Sequence, residues 1–193
     1  MSPYFSVHPV TTVLFVVTVG IWVTLEARQG LRRRTGASVR DRGSYFLVVA
    51  GVAAGWIATV AALHVPGAAF GAEAAVLSVG FVLTWVGIAV RLWAFHTLGD
   101  YFTFRVQTSA DQPVVTDGPY RFVRHPGYTG ILLTLIGLSL LYGTCIGVAA
   151  MIVIPTAGVV HRIRVEERAL DADLGPAYRA YAAGRKRLLP YVW

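Results

Sequence analysis

Charge, cysteine and asparagine are all scarce in this chain. Only 14% of its 193 residues are charged, against about 25% in a soluble globular domain. The single cysteine, Cys145, excludes an internal disulfide and a multi-cysteine zinc site. Asparagine is absent and Lys186 is the one lysine. Because codons for both residues begin with AA, this scarcity indicates a GC-rich genome, as in many bacteria.

The familiar nucleotide and metal motifs are missing as well. No G-x-G-x-x-G or Walker A sequence occurs, so neither a dinucleotide-binding nor a P-loop fold is indicated. No HExxH or His-x-His pair points to a metal, and we expect none. Instead, 55% of the residues are hydrophobic and the mean hydropathy is +0.59. This composition excludes a soluble globule, a disordered tail and a nucleic-acid-binding module, and it predicts an integral membrane protein.

Long uncharged runs predict the membrane spans. A spanning helix needs about 20 largely apolar residues. The 34 residues from Gly127 to Val160 carry no charge, but a single helix of that length would be about 51 Å long. We therefore expect a tight hairpin that turns near Gly143, with Pro155 kinking its second helix. The sequence predicts one all-α domain over residues 1–193 with five transmembrane helices, at about 9–25, 45–65, 74–95, 127–142 and 144–160.

The basic residues predict the orientation. All 17 basic residues follow the first, third or fifth predicted span or lie at the end of one of these spans. Because alternate spans end on the same side of the membrane, all 17 lie on one side. The positive-inside rule makes that face cytoplasmic and places the N-terminus outside, in a bacterial inner membrane. Two polar segments, 96–126 and 161–193, lie on the cytoplasmic side. In the second we expect C-terminal helices broken at Gly175-Pro176.

The first polar segment ends in a group of residues that could bind an anion. Pro126 suits the first position of a helix, whose free amide groups favour negative charge. The alternative is an interfacial anchor in which Tyr and Arg side chains lie at headgroup depth. The segment concerned is Gly118-Pro119-Tyr120 followed by Arg124-His125-Pro126-Gly127-Tyr128.

Charged residues at two helix ends remain open to two interpretations. Arg162 and Glu166 are spaced to form a local ion pair, but Glu166 and Glu167 point about 100° apart on a helix, so one pair cannot occupy both. They form either a ligand site or a solvated face. Arg91 is expected to extend to the membrane surface from the end of the third span. His96 and His161 border the same region and could join the site.

Several motifs occur in the order found in one known family. They are RLWA at 91–94, RHPGYTG at 124–130, EERAL at 166–170, LGPAY at 174–178 and RLLP at 187–190. Together they extend over about half the chain. This half resembles the isoprenylcysteine carboxyl methyltransferase family, which is related to the phospholipid methyltransferases; the chain would be a prokaryotic member.

The resemblance implies methyl transfer from S-adenosyl-L-methionine to the carboxylate of a lipophilic, isoprenylcysteine-like acceptor among membrane lipids. It implies no nucleic acid, and no obligate protein partner is evident. Arg162 matches the residue that holds the acceptor carboxylate, and Glu167 is the second candidate catalytic residue. Glu166 can bind the cofactor's ammonium group, and the aromatic faces can contact its sulfonium. The cofactor positions carried over are Gln112, Pro113, Val114, Val115, Tyr120, His125, Pro126, Gly127, Tyr128 and Glu166.

Three other functions remain open. A lipid-amine (phospholipid) N-methyltransferase would need Glu167 or His125 as a base, because its acceptor must first lose a proton. A sterol-reductase-like enzyme would use NADPH, for which we find no motif. The third is a membrane anchor without enzymatic activity.

Overall fold

The computed structural model describes residues 1–30, 38–39, 41, 43–101, 107–108 and 113–193. The helices are α1 (Pro9–Gly30), α2 (Ser44–Ala61), α3 (Glu73–Leu98), α4 (Pro126–Leu140) and α5 (Cys145–Ala183). Short 3-10 turns occupy Tyr4–Ser6, Ala62–His64, Gly99–Tyr101 and Gly118–Arg121. A two-residue antiparallel pair, β1 (Ser38–Val39) with β2 (Gln107–Thr108), is an addition to the predicted all-helical fold.

The described helices are those of an integral membrane protein. Four of them, α1, α2 with its 3-10 extension, α3 and α5, are long and apolar enough to cross a membrane. The fifth, α4, is apolar but has only 15 residues. Large apolar side chains such as Phe46, Ile57 and Val153 are exposed on the outside of the bundle. Lipid tails would cover these side chains, as the uncharged runs predict.

Glycine allows α3 and α4 to pack with their backbones in contact. A Cβ atom at Gly130 would lie 2.7 Å from the backbone nitrogen of Arg91, and one at Gly87 would collide with the backbone of Thr134. Gly80 and Gly137 make the same kind of close approach two helical turns away. Because lipid is as apolar as leucine, close packing of small residues is a main source of helix association in a membrane. This close packing of α3 on α4 holds the start of α4 against Arg91.

The chain reverses direction between α4 and α5 at the predicted position. Gly143 has a φ of 80°, in the left-handed region that favours glycine. The turn is held by a hydrogen bond from the Phe70 amide to the Gly143 carbonyl (3.0 Å) and one from the Cys145 amide to the Ala68 carbonyl (2.8 Å). These contacts tie the turn to the segment between α2 and α3.

Helix α5 is longer than the predicted fifth span. It continues as one helix through Pro155 and past residue 160, so the tail helix expected from residue 161 is a continuation of the span. The break expected at Gly175-Pro176 is present, because Gly175 has non-helical dihedrals (φ 52°, ψ −124°). Since the helix is continuous up to that break, the polar side chains that follow residue 160 are held rigidly relative to its apolar half.

Candidate active site

The site is built around the turn that begins α4. The amides of Arg124 and His125 donate to the carbonyls of Lys186 (2.8 Å) and Arg187 (2.9 Å). The hydroxyl of Thr129 donates to the carbonyl of Leu188 (2.7 Å). The C-terminal segment therefore fixes the backbone of this turn, and the His125 side chain is buried beneath it.

A chain of hydrogen bonds joins α4 to the polar half of α5. The Tyr128 hydroxyl accepts a hydrogen bond from Arg162 Nε (2.6 Å) and donates one to Glu166 Oε2 (2.7 Å). His125 Nδ1 lies 3.9 Å from Glu166 Oε1. Arg162 is buried, whereas the Glu166 side chain is 28% exposed. The tyrosine thus links the two residues that the sequence suggests as a local ion pair.

The other side of the Arg162 guanidinium contacts the start of α2. Arg162 Nη1 lies 2.6 Å from Asp41 Oδ1 and 3.0 Å from Ser44 Oγ. Burial by itself would raise the pKa of Asp41, but hydrogen bonds from Ser44 and Arg162 and the charge of Arg162 lower it below its usual range. Neither Asp41 nor Ser44 was predicted from the sequence. Their pattern, an acid three residues before a serine at a helix start, is also that of an ordinary helix cap.

Glu167 is held by three cationic or hydrogen-bonding side chains. Its carboxylate oxygens lie 2.7 Å from Arg124 Nη1, 2.8 Å from Arg187 Nη2 and 3.4 Å from His125 Nε2. Burial alone would raise its pKa, but the hydrogen bonds from His125 and Arg187 and the charges of His125 and Arg124 lower it to about 2. The carboxylate therefore stays ionised at neutral pH.

Arg91 does not extend to the membrane surface as predicted. It is 4% exposed, and its guanidinium forms a two-bonded ion pair with Glu26 of α1, with 2.8 Å between Nη2 and Oε2. Its Nη1 donates to the Gly127 carbonyl at 2.7 Å. Because α3 packs closely on α4, water at the surface is out of reach and an acid on α1 satisfies the charge. Glu26 was missed, although it is an acid at the same predicted membrane face as Arg91.

Comparisons with known proteins show similarity in sequence and in fold. The model of the isoprenylcysteine carboxyl methyltransferase (ICMT) family matches residues 79–172. A solved structure of the eukaryotic intramembrane Ras methyltransferase ICMT has a TM-score of 0.58 at 25% identity, over 76% of this chain and 52% of that one. Over about half of its length, the chain is similar to the isoprenylcysteine carboxyl methyltransferase family.

Curated relatives match more than half of the chain. A "probable protein-S-isoprenylcysteine O-methyltransferase" of Oryza sativa subsp. indica is 30% identical over 116 residues, which are 59% of this chain and 61% of the relative. Protein-S-isoprenylcysteine O-methyltransferase A of Arabidopsis thaliana is 30% identical over 58% of each chain. The chain thus spans about six tenths of the length of these relatives.

The positions carried over from the family fall into two groups. His125, Tyr128, Arg162, Glu166 and Glu167 form one connected cluster. Beside it, Pro126 and Gly127 are buried at the start of α4. Tyr120 is also buried, and its carbonyl accepts a hydrogen bond from the Tyr181 hydroxyl (2.9 Å).

The remaining positions lie apart from this cluster. Pro113, Val114 and Val115 occupy an irregular segment before the 3-10 turn, and among the described residues none hydrogen-bonds them to the cluster. Gln112 lies outside the described residues. The side chains of His96 and His161 are exposed, and no described contact joins them to the cluster.

The start of α4 has fewer free donors than the sequence suggests. Pro126 has no amide hydrogen. The amides of Tyr128 and Thr129 already donate to the His125 carbonyl, at 3.0 and 3.2 Å. Charged side chains, more than the helix terminus, therefore dominate the electrostatics of this site.

Proposed function

We propose that this protein is an S-adenosyl-L-methionine-dependent methyltransferase that esterifies the carboxylate of a lipophilic, isoprenylcysteine-like acceptor. The observation that carries the proposal is the bonded chain Arg162–Tyr128–Glu166, which places a buried cation beside a partly exposed carboxylate. Arg162 would bind an anionic acceptor, and Glu166 would bind a cationic group of the cofactor. The family match covers all three residues.

The side chains present fit the cofactor. Its ammonium would be held by Glu166, whose carboxylate is 28% exposed and therefore reachable. Its cationic sulfonium would be held at the aromatic faces of Tyr120 and Tyr128. When bound, S-adenosyl-L-methionine supplies an electrophilic methyl group. His125, Pro126 and Gly127 would form the wall of this pocket at the start of α4.

The residues of this chain favour a carboxylate acceptor. Arg162 would orient the carboxylate, which is already a competent nucleophile and needs no base. Catalysis then rests on alignment and exclusion of water. An amine acceptor would need a base, and Glu167 is poorly suited because its three partners lower its pKa to about 2. We therefore assign Glu167 to holding Arg124 and Arg187, which fix the turn at His125.

The acceptor would be lipophilic because the site adjoins the apolar half of α5. Each CH₂ group of a tail buried against it contributes about 0.8 kcal/mol. We further infer that α4 is a short membrane span, which makes five spans with α4 and α5 as a hairpin. With the basic residues on the cytoplasmic side, the N-terminus lies outside and the site opens to the cytoplasm.

The first test compares Arg162→Ala and Glu166→Gln in purified protein. Loss of a hydrogen bond to a charged group costs about 1.5–3 kcal/mol, or roughly 10- to 150-fold. Glu166→Gln should weaken S-adenosyl-L-methionine binding by that factor, whereas Arg162→Ala should mainly raise KM for the acceptor. Exposed residues on the same helix provide the controls Arg164→Ala and Asp171→Asn. Unchanged cofactor affinity in Glu166→Gln would refute the pocket assignment.

The second test is a pH–rate profile with two acceptors, a prenylcysteine analogue and phosphatidylethanolamine. A carboxylate is ionised above about pH 5, so its methylation should not rise between pH 6 and 8. An amine would show a rising limb through that range, because its free-base fraction grows. Turnover of the amine lipid alone would replace the carboxyl proposal with N-methylation.

A further inference from the structure

The guanidinium proposed to hold the acceptor carboxylate already holds a carboxylate of the protein. Arg162 Nη1 lies 2.6 Å from Asp41 Oδ1, and the two side chains are only 4% and 12% exposed. Asp41 comes from the segment before α2, which is 121 residues away in sequence. This contact is therefore a product of the tertiary fold.

Asp41 is presented by the start of α2 in a fixed position. Its Oδ1 accepts a hydrogen bond from Ser44 Oγ (2.9 Å) and its Oδ2 one from the Tyr45 amide (3.3 Å). The Ser44 amide donates to the Asp41 carbonyl at 2.9 Å. Ser44 itself is fully buried. The carboxylate is thus held by a helix start as well as by Arg162.

Among the residues that the structure describes, this arrangement leaves little positive charge for an incoming anion. Arg162 carries one positive charge, while Asp41 contacts it directly and Glu166 contacts it through the Tyr128 hydroxyl. A second carboxylate on the same buried guanidinium would be repelled by both acids. Because charges at a buried site are screened less than charges at the surface, this repulsion is stronger than it would be between exposed groups.

We propose that Asp41 is an internal competitor for Arg162 and thereby a specificity-determining residue. An acceptor carboxylate must either displace Asp41 from Arg162 or share the guanidinium with it. Both weaken the binding of the acceptor. Small water-soluble carboxylates lack any compensating contact and are rejected. An acceptor with a long apolar tail recovers the loss by burying that tail, so Asp41 restricts the enzyme to lipid-like acids. The inference rests on the proposed function in taking Arg162 as the acceptor site.

The test is Asp41→Asn, which keeps the shape of the side chain and removes its charge. The probes are the C15 prenyl thioether of N-acetylcysteine and its methyl ester, with binding measured calorimetrically in detergent. We expect the acid to bind about tenfold more tightly to Asp41→Asn than to the unmodified protein, as expected for removal of one partly screened charge about 6 Å from another. The uncharged ester should bind both proteins equally. Asp41→Ser is the second neutral variant, and thermal unfolding identifies which variants are folded.

Unchanged or weaker binding of the acid in a folded neutral variant would overturn the inference, because Asp41 would then only hold Arg162 in place. Equal tightening for acid and ester would also overturn it, since charge would not be the cause. Because binding is measured without turnover, the role of Asp41 and the proposed methyltransferase function are tested independently. A gain in acid affinity without methyl transfer in either protein refutes the proposed function alone. Methyl transfer without the gain refutes only the role of Asp41.

Discussion

The ion pair between the buried Arg91 and the partly exposed Glu26 allows a quantitative prediction. Arg91 is 4% exposed, and its guanidinium donates two bonds to Glu26 and one to the Gly127 carbonyl. Glu26→Gln removes the compensating charge but leaves the arginine buried. Removing one partner of a buried ion pair costs about 3–5 kcal/mol. For a chain of this size, that corresponds to a fall of about 6–20 °C in the thermal midpoint.

Removing both charges should cost less than removing one. In the double variant Glu26→Leu/Arg91→Met neither charge of the pair remains, and the Gly127 carbonyl, which lies within α4, loses its arginine donor. Loss of this hydrogen bond from a charged group costs about 1.5–3 kcal/mol. The double variant should therefore be more stable than Glu26→Gln, although it has lost more polar contacts.

Thermal unfolding in mild detergent, followed by circular dichroism, measures these differences. Arg28→Gln is the matched control, because Arg28 lies on the same helix and is exposed. If Glu26→Gln lowered the midpoint no further than Arg28→Gln, Arg91 would have access to water. The reasoning from burial would then be refuted.

Three further predictions concern pH, packing and topology. Glu167 has a pKa of about 2 when folded and about 4.5 when unfolded, so its stabilisation is full above about pH 5.5 and is lost as pH falls toward 2. Glu167→Gln should flatten the dependence of the unfolding midpoint between pH 6 and 3, and an unchanged slope would contradict this. Gly87→Leu should prevent α3 from packing on α4, whereas Gly20→Leu should leave the midpoint nearly unchanged, because a Cβ atom at Gly20 would have no neighbour within 4 Å. With the exposed Cys145 replaced by alanine, a cysteine at Ser6 or Ala69 should react with an impermeant reagent in intact cells. A cysteine at Ala37, which lies outside the described residues, should not react. Labelling of Ala37 from outside the cell would contradict the predicted orientation.

The positions of the helices follow from the sequence because hydropathy is a local property. Uncharged runs of sufficient length form helices in lipid whatever their neighbours, since every backbone polar group must be satisfied within the segment. The turn at Gly143 and the break at Gly175 are equally local, since both residues adopt positive φ values. Arg162, Glu166 and Tyr128 could be selected as candidates because ordered motifs carry them.

The partners of the charged residues could not be read from the sequence. Glu26 is 65 residues from Arg91, and Asp41 is 121 residues from Arg162. Which acid reaches which arginine depends on the order and rotation of the packed helices, to which the glycine contacts of α3 with α4 and of α2 with α5 contribute. A hydropathy pattern shows that an arginine lies at a helix end, but it does not distinguish a path to water from a buried acid. The sequence therefore determined the helices and the chemical groups of the site, while tertiary packing decided which charges neutralise one another.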